Sequence, residues 1–460
     1  MPVFDIVIRN GRLAVPAGAA RTDLGIDGQR IAQIGGPMSG TNEIDAAGLL
    51  VLPGGVDAHV HLTPGLRSPQ EGPVWIDDIA SGSAAALAGG ITTLGNMTFL
   101  RDGELPLDGL DREAALVREG AIADFILHPV LREPTPAALD QILTLRDRGH
   151  TSLKFFMVTP GFDRQVAGFL EATERAAAAG LITMIHCEDY AIIARATARL
   201  IAEGRSDLRH YAESRPVVSE TVATERAVAF AAATGAPVYV VHLSAAAALD
   251  VCRRAQSHGL PVYVETRPLY LHLTRERFGE PDGAKYVGQP PLRDAADVAA
   301  LWDGLRQGSV HTVCSDHAPW SLAAKLDPAL SVATLRPGVE GLELQMPMLY
   351  SEGVRTGRLS LERFIEVTST NAAKLFGLYP AKGCIAVGSD ADVVLFDPNL
   401  TRTVGAPRFS RCDYSVFAGR SVTGWPVLTM RRGEVVFDHG RVTGSPGTGR
   451  LIPRLPTCRL

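Results

Sequence analysis

The 460-residue sequence predicts an α/β protein: a (β/α)8 TIM barrel with a small β domain assembled from both chain ends. Three observations carry that reading. The middle of the chain alternates apolar, β-branched runs with Ala-rich helical stretches. The two ends are built instead of short strands and tight turns, with too little core on either side to fold alone. Hydrophobic residues at 46% and charged residues at 21% sit near globular averages, which excludes disordered, collagen-like and coiled-coil chains.

At the N-terminal end, Phe4-Asp5-Ile6-Val7-Ile8 alternates as a strand, and Leu13-Ala14-Val15 follows a turn at Asn10-Gly11. Asp27-Gly28 is a hairpin signal between Asp23–Ile26 and Arg30–Ile34. Asp392–Phe396, Val427–Met430 and Val435–Phe437 repeat this style near the other end. Between them, strands are expected at Leu49–Val56, Ile91–Met97, Ala123–Val130, Thr151–Val158, Leu181–Cys187, Pro237–Leu243, Leu260–Glu265 and Val310–Ser315. Helices are expected at Trp75–Ala88, Pro136–Arg148, Arg164–Ala179, Glu220–Thr234, Ala246–His258 and Ala295–Arg306. Eight strands, nearly all followed by a helix, fit a closed barrel better than an open sheet with its Gly-rich phosphate turn. The expected division is 1–52 and 383–445 for the β domain, 53–382 for the barrel and 446–460 for a tail. That tail, rich in Arg and Pro, reads as an interface arm or a loose end.

Charge and cysteine usage narrow the partners. Lys plus Arg total 45 against 50 for Asp plus Glu, a net charge of −5, which argues against nucleic-acid binding. No apolar run reaches the ~18 residues of a membrane span, and the opening residues lack the order of a signal peptide. Six cysteines are scattered without paired spacing, as for reduced thiols in a cytoplasmic protein. A small molecule is the expected partner.

Ionisable residues gather where the strands end. Strand one runs into Asp57-Ala58-His59-Val60-His61, strand four contains Lys154, strand five ends at His186-Cys187-Glu188, strand six at His242-Leu243-Ser244, and strand eight at Ser315-Asp316-His317. In a barrel these C-terminal strand ends converge on one face. His59 and His61, two apart in a strand, point the same way and can grip one ion. His186 and His242 offer further nitrogens and Asp316 an oxygen. Four histidines and a carboxylate exceed the needs of one tetrahedral ion, which points to two ions sharing a bridge. A lone strand-end histidine is more often a hydrogen-bonded core residue, and a lone lysine in an apolar strand usually snorkels. Five strands carrying such residues at one end are not explained by those separate accidents. Lys154 beside two dications would have a depressed pKa, and its neutral amine could take up carbon dioxide as a bridging carbamate.

Val56-Asp57-Ala58-His59-Val60-His61-Leu62, Lys154, His186-Cys187-Glu188, Val241-His242-Leu243-Ser244 and Ser315-Asp316-His317-Ala318-Pro319 occur in the order found in the cyclic amidohydrolases. The sequence thus resembles the hydantoinases and dihydropyrimidinases, allantoinases and dihydroorotases. The likeness continues through Lys285–Arg293, Asn371–Leu378 and Val387–Asp392, so it spans nearly the whole chain. It implies a barrel plus a β-sandwich made from both termini. It also implies His59 and His61 on one metal, His186 and His242 on the other, carboxylated Lys154 between them, and Asp316 on the first. The two divalent ions would be zinc. A bridging hydroxide would attack the ring carbonyl while Asp316 passes its proton to the leaving ring nitrogen, opening the ring to a carbamoyl or ureido acid. A homodimer or homotetramer is implied.

Departures from the family pattern fall in the substrate shell. Dihydroorotases carry Arg where this sequence has Thr63. Hydantoinases often place Tyr five residues after the lysine, and here the residue is Thr159. The serine of the Tyr-Val-x-Ser-Pro-Pro segment is Gln289, and Arg336-Pro337-Gly338 follows the allantoinase and dihydroorotase style. Expected substrate contacts are Thr63, Leu66, Phe156, Thr159, Gln289, His317, Arg336 and Gly338, with Phe162 a further apolar candidate; His317 reads equally as a residue supporting Asp316 from behind, and not as a metal ligand. Arg67, Arg267, Arg293 and Arg336 fall in expected loops, where one or more could bind an anionic or ureido substituent although a solvated arginine is the commoner case; Glu188 and Ser244 are expected as orienting or structural residues, and 317–340 as a mobile loop over the site. The leading expectation is a hydantoinase- or dihydropyrimidinase-like hydrolase of a cyclic amide or imide. Allantoinase is the nearest alternative, and dihydroorotase and a non-catalytic dihydropyrimidinase-like scaffold are less favoured.

Overall fold

A computed structural model describes residues 2–15, 18–66, 69–458 and 460. The barrel strands are Gly55–Val60, Ile91–Thr98, Asp124–Pro129, Ser152–Phe156, Ile182–His186, Val238–Val240, Val262–Thr266 and Thr312–Val313. Neighbours pair in parallel as three strands and five. Bridges between Val130 and Lys154, and between Val60 and His317, close the ring. Val56, Ala58, Ile126, Met184 and Tyr239 belong to one buried core cluster, joined by Phe376 from the helical segment that follows the barrel.

The expected strand Leu49–Val56 is in fact two strands. Leu50–Pro53 pairs with Val393–Thr403 and with Arg12–Val15, outside the barrel. After Gly54 the chain enters the barrel at Gly55. Both pieces are buried throughout, so no polar residue marks the change of sheet. The first helix starts later than expected, at Ile79, because Asp78 caps it: the Asp78 carboxylate accepts from Ser81 N–H at 2.9 Å. Pro136–Arg148 is broken at Gln141 into Pro136–Asp140 and Ile142–Asp147. Likewise Arg164–Ala179 divides into Pro160–Arg164 and Val166–Ala178.

Both chain ends share a seven-stranded sheet, in which Leu50–Pro53 and Arg12–Val15 extend the C-terminal strands Val393–Thr403, Ser421–Arg431 and Glu434–Asp438. A four-stranded sheet from Val3–Asp45 adds a second layer, and Leu13, Ile26, Val51, Val393, Leu395 and Met430 form one apolar cluster with residues of both. The Asp27-Gly28 turn forms as expected, with Gly28 at φ 54°. The tail is neither a free arm nor loose. It runs across the N-terminal side of the barrel, where Phe125 N–H bonds Arg450 O, Arg454 N–H bonds Gly149 O and Thr457 N–H bonds Gly180 O. Arg454 is buried there and donates to Ser152 Oγ at 3.0 Å and Leu127 O at 2.8 Å.

Buried charge joins the barrel to the sheet. Lys382 Nζ lies 2.6 Å from Asp124, 2.8 Å from Asp392 and 3.0 Å from Asp390, and Arg432 also reaches Asp124. Breaking such a pair leaves uncompensated buried carboxylates. Lys382→Met is therefore expected to lower unfolding free energy by about 3–5 kcal/mol, read from a denaturant titration.

Candidate metal centre

The C-terminal strand ends place the polar residues in two groups. In the first, His61 Nε2 lies 3.0 Å and His59 Nε2 3.3 Å from Asp316 Oδ1. Candidate ligand atoms of these three residues all fall within 4.8 Å of one another. His59 is oriented from behind: its Nδ1 sits 2.8 Å from Glu265 Oε1, which also accepts from His242 N–H at 2.8 Å. Asp57 locks the backbone beneath, accepting from His59 N–H at 3.1 Å and Ser315 N–H at 3.0 Å, and so ties strand one to strand eight.

In the second group, His186 Nδ1 lies 3.0 Å from His242 Nε2, and the rings stand 4.6 Å apart. His186 Nε2 faces Glu188 at 2.8 Å. Burial works against that carboxylate's charge, yet Arg215 and His186 hold its pKa down at about 2. The His59 and His242 rings, 5.4 Å apart, bring the two groups together. Two of the residues, His242 and Asp316, have φ of 38° and 47°. Side chains other than glycine rarely adopt that region, and such strain gathers at functional sites.

Lys154 completes the set. It is fully buried, its Nζ has no hydrogen-bond partner among the described residues, and it lies 4.9 Å from the Phe156 ring. Desolvation lowers its pKa to about 8. Its charge is felt at His61, His186 and His242, whose pKa values are pushed down chiefly by burial, that of His61 to about 4. Burial thus biases His61, His186 and His242 toward the neutral form that donates nitrogen to a metal. Burial opposes the Asp316 charge, but Arg267, His59 and His61 outweigh it and keep the group ionised. His61 Nδ1, His242 Nδ1 and Lys154 Nζ are buried polar atoms with no partner among the described residues. Imidazoles, an ionised carboxylate and an unpaired amine in one buried site suit a cluster of divalent cations.

Above these residues opens a cavity of about 550 Å³. Leu66, Phe156, Thr159, Gln289 and Gly338 line it, together with His59, His61, His186, His242 and Asp316. Other expected contacts lie elsewhere. Thr63 is buried and its hydroxyl bonds Glu113. His317 is fully enclosed, with Nε2 2.7 Å from Asp77 and Nδ1 accepting from Gly341 N–H at 3.1 Å, so neither nitrogen is free for substrate. Arg336 turns its side chain to Asp327 at 2.9 Å, leaving Pro337 and Gly338 on the wall. Phe162 packs with Phe155, Phe169 and Phe230 in the core.

The arginines also depart from expectation. Arg67 lies outside the described residues. Arg267 is buried and donates to Asp316 Oδ2 at 2.6 Å, and Arg293 is buried against Glu220 at 2.9 Å. Glu220 also accepts from the Ser244 hydroxyl at 2.6 Å, which makes Ser244 part of the frame. The segment 317–340 is tied down by Lys325, whose Nζ donates to Val287 O at 2.6 Å, Arg336 O at 2.9 Å and Gly338 O at 3.1 Å. Sequence reasoning missed Glu265 and the aromatic wall of Trp75, Phe99 and Trp320, and it placed Arg267 in a loop rather than on Asp316. Glu265 ends strand seven, so the strand-end criterion already contained its signal.

Comparison with known proteins agrees with this geometry. The amidohydrolase family profile matches residues 50–436. A D-hydantoinase of Ralstonia pickettii is 35% identical over 98% of this chain and 99% of its own. A D-phenylhydantoinase of Escherichia coli O1:K1 is 36% identical over 98% of both chains. The crystal structure of a dihydropyrimidinase from Brevibacillus agri NCHU1002 superposes with a TM-score of 0.93 at 34% identity, covering 99% of each chain. The strand-end histidines, the barrel and these likenesses agree: the chain belongs to the amidohydrolase family, among its cyclic amidohydrolases.

Proposed function

We propose that this chain hydrolyses the amide C–N bond of a five- or six-membered cyclic amide or imide, as the names of its hydantoinase and dihydropyrimidinase relatives say of them. One observation carries the reading: two groups of histidines and an unpaired buried lysine meet at the floor of a largely apolar cavity. In this reading His59, His61 and Asp316 hold one divalent ion and His186 and His242 the other, both zinc. His186 would use Nδ1, because Glu188 occupies Nε2, and His59 would use Nε2, because Glu265 occupies Nδ1. The neutral Lys154 amine would add to carbon dioxide and lose a proton, and the resulting carbamate would supply oxygen ligands for the ions. When bound, the ions lower the pKa of water and polarise the ring carbonyl. Asp316 accepts the proton of the attacking water and returns it to the leaving ring nitrogen, giving an open-chain carbamoyl or ureido acid.

The allantoinase reading rests on Arg336-Pro337-Gly338, and the Arg336 side chain points away from the cavity. A dihydroorotase would need a cation for the substrate carboxylate. On the described wall the arginine is Arg132, paired with Asp102 at 2.9 Å. A scaffold role fits poorly with a full set of six ligand positions. The same proposal includes a catalytic barrel over 53–382, a β-sandwich over 1–52 and 383–445, and a cytoplasmic homodimer or homotetramer. No helix among the described residues is long and apolar enough to cross a membrane.

A substrate panel on protein supplied with zinc and bicarbonate tests the reading. Turnover of hydantoin or dihydrouracil is expected, and turnover of allantoin alone would overturn it. Asp316→Asn is expected to cut kcat by about 10²–10⁴-fold, and an unchanged rate would remove Asp316 as the base. The Lys154 amine must be neutral to react, and its pKa is lowered to about 8. Reactivation of metal-free protein at fixed dissolved carbon dioxide should therefore quicken about tenfold per pH unit below that value and level off above it. A flat profile would contradict this.

A further inference from the structure

The segment that follows strand eight is held by a buried cation that no carboxylate among the described residues balances. Lys325 ends the short helix Leu322–Lys325, whose N-cap Ser321 accepts from Ala324 N–H at 3.2 Å. It is 1% exposed, and among the described residues it makes no ion pair. Its Nζ instead donates to Val287 O at 2.6 Å, Arg336 O at 2.9 Å and Gly338 O at 3.1 Å. An ammonium has three N–H donors and no acceptor, so three carbonyl oxygens satisfy it completely. Burial and the charge of Arg267 press its pKa well below the ordinary lysine value. A neutral amine has one donor fewer and would leave a carbonyl unmet.

The three carbonyls belong to two stretches of chain that meet at the cavity. Val287 lies two residues before Gln289, and Arg336 and Gly338 flank Pro337. Gln289, Pro337 and Gly338 all line the cavity. In the second stretch the carbonyls of Arg336, Pro337 and Gly338 are all taken, because Trp320 Nε1 donates to Pro337 O at 2.8 Å. Gly338 N–H completes the join by donating to Val287 O at 3.0 Å. Gly338 has φ 119°, and a Cβ there would collide with Ala318 O, so the stretch has little room to shift. The strand-end histidines and Asp316 have a separate frame in Glu265, Glu188 and Arg267.

We infer that Lys325 is a positioning residue of the hydrolytic site: its ammonium sets the spacing between the stretches 287–289 and 336–338, and with it the width of the cavity. The inference rests on the cyclic-amide reading above for its substrate, and it adds a residue that touches neither substrate nor metal. The clamped wall stands beside the ring and away from the reacting atoms. Loosening it therefore weakens ground state and transition state alike, which raises KM more than it lowers kcat. A merely structural role reads differently: partial unfolding lowers the active fraction, and so the apparent kcat, and leaves KM where it was. Lys325→Met removes the donors at similar chain length, and Lys325→Gln keeps an N–H head on a shorter stem.

The test pairs hydrogen–deuterium exchange of the full chain, read by mass spectrometry, with kcat and KM on zinc-loaded protein. The probe is hydantoin or dihydrouracil, whichever the wild type turns over. In Lys325→Met the peptide carrying Gly338 should exchange about tenfold faster and KM should rise about tenfold, with kcat lowered by no more than about threefold. Exchange in the strand Ile182–His186 and the zinc content should stay as in the wild type. With an active wild type, a change in only one of Gly338 exchange and KM, or in neither, would overturn the inference and leave the hydrolase reading intact. With a wild type that turns over neither probe, the hydrolase reading falls and exchange alone decides the clamp: faster at Gly338 in Lys325→Met upholds it, and unchanged refutes it. Should Lys325→Met fail to fold, the same readouts on Lys325→Gln decide: faster Gly338 exchange with a raised KM supports the inference, and wild-type values refute it.

Discussion

A lysine amine buried without a hydrogen bond is the constraint around which this site is arranged. Lys154 sits in strand four with no exposure to water, in a protein whose other buried cations have partners. Lys382 has three carboxylates, Arg215 has Glu188 and Arg293 has Glu220. Burying a charged amine without compensation is unfavourable, and the cheaper state is the neutral one. A neutral, unpartnered amine is also a nucleophile, so the same burial that depresses its pKa prepares it to take up carbon dioxide. The neighbouring histidines are held neutral by the same dry surroundings. His61 Nδ1 and His242 Nδ1 are left without a hydrogen-bond partner among the described residues.

The frame behind the ligands explains why they stay in place. Glu265 grips the His59 ring and the His242 backbone, Glu188 grips the His186 ring, and Arg267 holds the outer oxygen of Asp316. Each of these partners is itself held. Tyr239 donates to Glu265 at 2.9 Å, and Arg215 pairs with Glu188 at 2.6 Å. Such outer contacts fix which ring nitrogen is left for a metal. The two residues of positive φ are both tied into this network, His242 through its N–H to Glu265 and Asp316 through its carboxylate to Arg267.

Much of this was legible before any coordinates. The barrel followed from alternating runs, and the histidines stood out because strand ends in a barrel converge. What escaped notice depended on distant partners. His317 read as a substrate contact or as support for Asp316, and only Asp77, 240 residues earlier, shows that its ring is engaged away from the cavity. Arg267 and Arg293 read as solvated loop residues because their carboxylates lie 49 and 73 positions away. The sheet change at Pro53-Gly54 was hidden because the residues on both sides are equally apolar. Trp75 had no periodicity or motif to single it out, and only the packing of its ring beside His61 and Phe99 at the cavity does so.

The most direct measurement of the central claim is incorporation of isotopically labelled bicarbonate into the zinc-loaded chain, located on Lys154 by NMR and accompanied by metal analysis. A carbamate signal that depends on Lys154, together with two metal ions per chain, is the result this account requires. A fully active, metal-loaded protein whose Lys154 remains a free amine would contradict it.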